Sequence, residues 1–513
     1  MRVLFASAEI YPLAKTGGLA DVSAALPKAL AACGVDMQLL MPGYPNALES
    51  ATNKSVQAEI MDFMGAGPMR LIAARMPDSG LPIWLVDCPS LFGRSGGIYL
   101  DENRRDWGDN ARRFAVFSHV AAQLSLGLLL ANWRADIVHI NDWHGGLLPA
   151  ILAGTAGQKP ATVLTIHNLA FQGLFPAEIY PQLGLSCGSV IPDGLEFYGK
   201  ISFLKAAISY SDRLTTVSPT YAREILTGEY GCGLEGLLQS RANDLVGIRN
   251  GADYGVWDAA TDPYLAANFD FQNVTGKRAC KAALQAELGL EADPEAPLVT
   301  FVSRITQQKM GDVIAAALPR IIDSGAQCAL VGDGDRCIEE QFEAAARQYP
   351  GRIAVRIGYE EAIAHRLLAG GDILLQPARF EPCGLTQLYA MHYGTLPVVR
   401  NTGGLHDTVV DATECSILEN NATGFMFEGA DCTDMLCCIE RALALYRQPL
   451  AWRRVQRTAM VQDFGWPNSA RRYLELYCDL SPQATVIADT AEVDGATTAD
   501  AASVPLSVRA AMS

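Results

Sequence analysis

The chain is short of positive charge: 40 Lys and Arg face 56 Asp and Glu, a formal net charge of −16 over 513 residues. So acidic a surface repels phosphate polymers and anionic membranes, which argues against nucleic acid or a lipid bilayer as a partner. Charged residues make up 19% and hydrophobic ones 50%, which excludes a disordered chain and predicts more than one ordinary core. Long apolar runs are also missing. The longest uncharged stretch, 114–133, contains Ser118, His119, Gln123, Ser125 and Asn132 and reads as a buried helix. The run at 3–8 is cut by Glu9 without a cleavage site behind it, so it predicts a strand and not a secretion signal. The 13 cysteines include no CxxC pair, and the adjacent Cys437 and Cys438 suit neither a disulfide nor zinc. A reducing cytoplasm is the expected location.

What is present is an alternation. Short β-rich runs at 3–6, 83–86, 137–140, 162–165 and 213–217 are separated by helical patterns, and a second series follows at 298–303, 328–331, 353–355, 373–375 and 396–399. Continuous apolar strands between helices predict parallel sheets covered on both faces. The polar stretch 250–273 separates the series, so an α/β fold of two doubly wound units is expected, with ligands in the cleft at the carboxyl ends of the strands. Residues 481–513 have no aromatic residue and no helical period, and predict a disordered tail.

The candidate chemistry sits after the strands. Lys15, Gly17 and Gly18 follow the first one, where glycine amides and a cation suit an anion, though a plain turn with a surface lysine fits the spacing equally. A helix is predicted from Ser23 to Cys33. After the first strand of the second series, Arg304 and Lys309 either direct two cations at one diphosphate or are solvated surface charges. Glu381 precedes a helix start formed by Gly384, Leu385 and Thr386, whose amides suit phosphate while the carboxylate suits sugar hydroxyls or developing positive charge. Cys383 has no identifiable partner as a nucleophile. His139 and His144 flank Asp142 without metal-ligand spacing, and His139, inside a strand, reads as a structural histidine.

In order along the chain, KTGGLADV (15–22), NDWH (141–144), TIHNLAFQG (165–173), VSRITQQK (302–309), IGYEE (357–361), RFEPCGLTQLYAMHYGTLPVV (379–399) and TGGLHDTV (402–409) resemble the bacterial glycogen synthases and their starch synthase relatives. The likeness runs from about residue 1 to 480 and includes linking stretches such as 202–236. It implies a GT-B glycosyltransferase of two facing Rossmann-like domains, residues 1–255 on the acceptor side and 256–480 on the donor side, with the last helix returning to the first. The implied reaction moves glucose from ADP-glucose to the 4-hydroxyl of an α-1,4-glucan such as glycogen, with retention of configuration and without a metal or other cofactor. Oligomeric state is left open.

The resemblance also implies roles. Lys15 and the Gly17 and Gly18 amides meet the diphosphate, Arg304 and Lys309 neutralise departing ADP with the amides of Gly384, Leu385 and Thr386, and Tyr359 stacks near adenine. Asp142 and His167 lie beside the transferred glucose and acceptor, Glu381 holds glucose hydroxyls, Asn168, Asn250 and the amides of Gly403 and Gly404 match further sugar-contacting positions, and Cys383 counts among the ADP-glucose-binding residues. Asp21 matches a nucleotide-side position. The chain departs from the pattern at Met310, where relatives have Gly, at Asn141 for a common His, and at Ala378 for a common Ser. Tyr389 stands where many other retaining GT-B enzymes carry a second Glu, as it does in the glycogen and starch synthases.

Overall fold

The computed structural model describes residues 1–103, 105–185, 192–358 and 360–484. The expectations for Tyr359 and for the tail beyond residue 484 lie outside the described residues.

Two large sheets organise the chain. In the first, the parallel strands run in the spatial order Pro82–Asp87, Asp36–Pro42, Arg2–Ala6, Ile137–Asn141, Ala161–Ile166, Arg213–Thr216, Leu245–Gly247. The second runs Ile353–Ile357, Gln327–Gly332, Leu298–Val302, Ile373–Gln376, Leu396–Arg400, Phe425–Phe427, all parallel. In both, the order reverses beside the strand that opens the unit, leaving a crevice at its carboxyl end where α/β sheets bind ligands. The loops at those crevices begin after Ala6 and Asn141 in one sheet and after Val302 and Gln376 in the other. These are the segments in which the sequence placed its candidate residues.

The expectation of purely parallel sheets is corrected at one edge. Thr52–Ile60 pairs antiparallel with Met69–Arg75, which pairs antiparallel with Pro82–Asp87. None of the side chains of Thr52–Ile60 is buried, so that strand carries no apolar run to betray it. The first helix is longer than expected, Gly18–Ala32, so the two glycines form its entry and not a loop before it. The uncharged stretch at 114–133 is helical only to Ser125, within the buried helix Asn110–Ser125. Among the described residues no helix is long and apolar enough to cross a membrane.

Each sheet has its own hydrophobic core, but the chain does not divide once. The final helix, Trp466–Leu480, puts Trp466, Ala470, Tyr473, Leu476 and Tyr477 into the core of the first sheet. A fully buried large apolar side chain contributes roughly 1.5–3 kcal/mol, so this return is firmly anchored. His139 fixes it further, its ring nitrogens 2.6 Å from the Tyr477 hydroxyl and 2.6 Å from that of Thr165. Burial pulls this imidazole down to a pKa of about 3, so it is a neutral structural group, as its strand position suggested. Where the chain leaves and re-enters the first domain the two segments touch: the Ala252 amide donates to the Phe464 carbonyl at 2.8 Å and the Ser469 hydroxyl to that of Arg249 at 2.5 Å.

Candidate functional site

On the first domain, the loop after Arg2–Ala6 is set by a residue that the sequence marked only as an interruption. Glu9 is buried and accepts from the Thr16 amide at 2.5 Å, the Thr16 hydroxyl at 2.6 Å and the Tyr99 hydroxyl at 2.5 Å. That anchors the turn carrying Lys15, Gly17 and Gly18. Lys15 Nζ lies 2.8 Å from Asp21 and 3.3 Å from Glu361 of the second domain, so it already bridges the cleft. Asp21 is raised from the usual carboxylate range by burial, which outweighs the opposing pull of Lys15. A side chain on Gly17 would meet open space, and one on Gly18 would reach Leu385 of the facing domain at 3.7 Å.

The next crevice loop holds Asp142 at φ +54, a left-handed conformation rare outside glycine. Its Oδ1 accepts from the His167 amide at 2.7 Å and the Asn168 amide at 3.4 Å. Asn141 fills the common histidine position by accepting from His167 Nε2 at 2.9 Å while donating to the Ala6 carbonyl at 3.2 Å. Burial holds the His167 imidazole well below its ordinary pKa, so the ring is neutral. Burial raises Asp142 to about 7 in spite of the two amides that favour its charge. The folded chain thus keeps a proton that the unfolded chain releases near pH 4, and this group's contribution to stability is lost as pH rises from about 4 to about 7. Asp142→Asn is expected to flatten that part of the profile in thermal melts across pH; an unchanged slope would show that the carboxyl is charged in the fold.

On the second domain, Lys309 and Glu381 form a buried ion pair joining two crevice loops. Arg379 clamps the same loops: it grips Asp312 through both nitrogens at 2.8 and 2.7 Å, bonds the Gln307 carbonyl, and donates its own amide to the Gln308 carbonyl at 2.8 Å. This pairing holds the Asp312 carboxyl below its usual range. Arg304 is exposed, hydrogen-bonds Gln308 at 3.4 Å, and stands 6.0 Å over the Phe171 ring of the first domain. Among the described residues the amides of Gly384, Leu385 and Thr386 have no hydrogen-bond acceptor, at the start of the helix Thr386–His392. Lys15 and Lys309 are paired here with acids (Asp21, Glu361, Glu381) and Arg304 with none among the described residues, so two of the three cations expected to meet a diphosphate are already answered. A phosphate must then displace carboxylates from lysines as well as meet amides.

The structure brings Lys15, Gly18, Asp21, Arg304, Lys309, Glu381 and Leu385 to the facing crevices. Cys383 is buried and its thiol is pushed up to about 12 by burial, which leaves it neutral and unsuited to nucleophilic attack. Asn250 is buried with an Oδ1 that has no partner among the described residues. The Gly403 amide, expected on the sugar side, donates to Glu224 at 2.9 Å and the Gly404 amide to the Glu381 carbonyl at 3.0 Å. Sequence reasoning assigned no role to Glu9, Glu361, Asp312 or Glu224; Glu361, Asp312 and Glu224 have partners 67 or more residues away, and Glu9 left a trace only as a charge at the end of an apolar strand. Among the described residues no group of three His, Cys, Asp or Glu is placed to hold a metal ion.

The departures have local reasons. Met310 takes φ +52 and ψ +33 yet is fully buried in the second core. Left-handed backbone costs a non-glycine residue about 1–2 kcal/mol, whereas losing a buried Met costs about 2–5 kcal/mol. Met310→Gly is therefore expected to lower the melting temperature even though it restores the relatives' residue; a rise would show that strain outweighs packing. Ala378 packs with Val399, Leu405 and Val409, where a hydroxyl would sit among apolar groups. Tyr389 points away from chemistry, its ring lying flat on Trp257 at 4.3 Å, which stacks in turn on His365 at 3.7 Å.

Residues 2–240 match the starch synthase catalytic domain and residues 296–444 the glycosyl transferases of group 1. The glycogen synthase of Paramagnetospirillum magneticum is 51% identical over 483 residues, covering 94% of this chain and 98% of the relative. The chain belongs to the bacterial glycogen synthase family. The glycogen synthase of Burkholderia thailandensis is 50% identical over 486 residues, covering 94% of this chain and 91% of that one. Starch synthase IV of Arabidopsis thaliana, whose catalytic domain was solved with ADP and acarbose, superposes with a TM-score of 0.85 at 32% identity, over 94% of this chain and 99% of that one. Family membership makes the protein a glycosyltransferase of GT-B fold that builds glucan from a sugar nucleotide, and the two facing crevices are its cleft.

Proposed function

We propose that the enzyme transfers glucose from ADP-glucose to the non-reducing 4-hydroxyl of an α-1,4-glucan, with retention of configuration, without a metal, and in the cytoplasm. The observation that carries this reading is the meeting of Lys15, Arg304, the Lys309–Glu381 pair and the acceptor-free amides of residues 384–386 at two facing crevices. The relative solved with ADP and acarbose supports the binding of a nucleotide and a glucan. The twelve described cysteines are free thiols, in keeping with a reducing compartment.

The chemistry follows from charge. As the bond between the anomeric carbon and the ADP oxygen lengthens, negative charge grows on the diphosphate, and Arg304, Lys309 and the amides of Gly384, Leu385 and Thr386 stabilise it. Lys309 released toward phosphate leaves Glu381 to accept from glucose hydroxyls and to favour the positive charge growing on the ring. The acceptor oxygen attacks from the face that ADP leaves, and its proton passes to the departing phosphate oxygen. Asp142, with Oδ1 held by backbone amides, orients hydroxyls beside the neutral His167. Incubation with labelled ADP-glucose or UDP-glucose and glycogen, followed by linkage digestion, tests the reading. New α-1,4 bonds from ADP-glucose that form equally in EDTA are expected, and a strong preference for UDP-glucose would overturn the donor.

A further inference from the structure

Two carboxylates cross between the domains in opposite directions. Glu224, ending the helix Pro219–Glu224, accepts through Oε1 from the Gly403 amide at 2.9 Å and the Thr402 hydroxyl at 3.0 Å. Asp407, just past the helix Gly403–His406, accepts from the Thr220 amide at 2.8 Å and the Thr220 hydroxyl at 2.6 Å. Hydrogen bonds to charged acceptors are among the stronger ones, and here each short helix supplies donors to the other's acid. All four form only when the two domains meet.

Gly403 lies between this clamp and the Glu381 loop. A Cβ on Gly403 would stand 1.9 Å from the Glu381 carbonyl oxygen, and that carbonyl accepts from the Gly404 amide at 3.0 Å. A shift of the 402–404 backbone therefore moves the Glu381 backbone, and with it the carboxylate paired to Lys309.

We propose that Glu224 is a positioning residue for Glu381: by holding Gly403 it sets the height of the Glu381 loop when the domains are together, and Asp407 with Thr220 is the reciprocal half of the clamp. Closure and the placement of the Glu381 loop are thereby one event. The inference rests on the role given to Glu381 above, so wild-type transfer is measured first; absence of any glucosyl transfer would overturn that role and this inference with it. With transfer established, Glu224→Ala is expected to lower kcat about tenfold or more, on the scale of one lost charged hydrogen bond, with little change in melting temperature. Glu224→Gln keeps an oxygen for both donors, and the oxygen it replaces with nitrogen has no partner among the described residues, so it is expected to stay within about twofold of wild type. Asp407→Ala is expected to match Glu224→Ala, and the double variant to be no worse than about either alone, because both open the same clamp. An unchanged kcat in Glu224→Ala, or a Gln variant as impaired as the Ala one, would overturn the proposal. Should Glu224→Ala not fold, kcat of Asp407→Ala decides in the same way.

Discussion

Lys309→Ala is expected to lower kcat by about 10²–10³, the scale of removing one stabiliser of leaving-group charge. It is also expected to destabilise the fold, because Glu381 is 5% exposed and loses the cation that compensates it. Breaking one side of a buried ion pair costs about 3–5 kcal/mol. Arg304→Ala separates the two effects. The same fall in kcat is expected there with no change in melting temperature, since Arg304 is exposed and, among the described residues, touches only Gln308 and the Phe171 ring. A near-normal kcat with a raised KM in either variant would assign that cation to ground-state binding. Adding Glu381→Gln to Lys309→Ala is expected to restore stability without activity, since the stranded charge is gone but the site is empty of both groups.

Gly403→Ala is the second large effect, and it involves no charge. Gly403 has φ +46, and an added Cβ would lie 1.9 Å from the Glu381 carbonyl oxygen and 3.4 Å from a Glu224 oxygen. The strain of a left-handed alanine is only about 1–2 kcal/mol. The backbone clash decides: neither carbonyl nor Cβ has a flexible end to swing away, so the Glu381 loop has to move. A fall in kcat of at least about 10² is expected, since a displacement of the order of 1 Å is enough for that. Gly17→Ala is the matched control, because its Cβ meets nothing within 4 Å. Its effect on melting is expected to be small, and equal losses of stability in the two variants would show that the clash is relieved elsewhere.

The fold was legible at most strands buried on both faces, because an apolar run such as Leu298–Val302 has no other use, but Asp36–Pro42, buried in the middle of the first sheet, was not among the strands expected. Thr52–Ile60 escaped because its pairing is made by backbone and its side chains face water. At the site, the loop addresses were legible from strand ends and glycines, and the family resemblance supplied roles. What could not be read were the partners of the charges. Lys15 meets Glu361, Thr220 meets Asp407 and Gly403 meets Glu224, across 346, 187 and 179 residues of chain, distances at which no periodicity or spacing carries information. Such pairings also answer Lys15 and Lys309 with acids before any ligand arrives, while Arg304 meets no carboxylate among the described residues.

The double passage at Ala252 and Phe464 has a consequence for how the molecule comes apart. Two adjacent strands of chain join the lobes, and one of them ends in a helix that completes the first lobe's interior. A single cut near residue 255 leaves the lobes tethered through 464, and an isolated 1–255 fragment exposes the surface that Tyr473 and Tyr477 cover. Any opening of the lobes has to bend both connections at this one place.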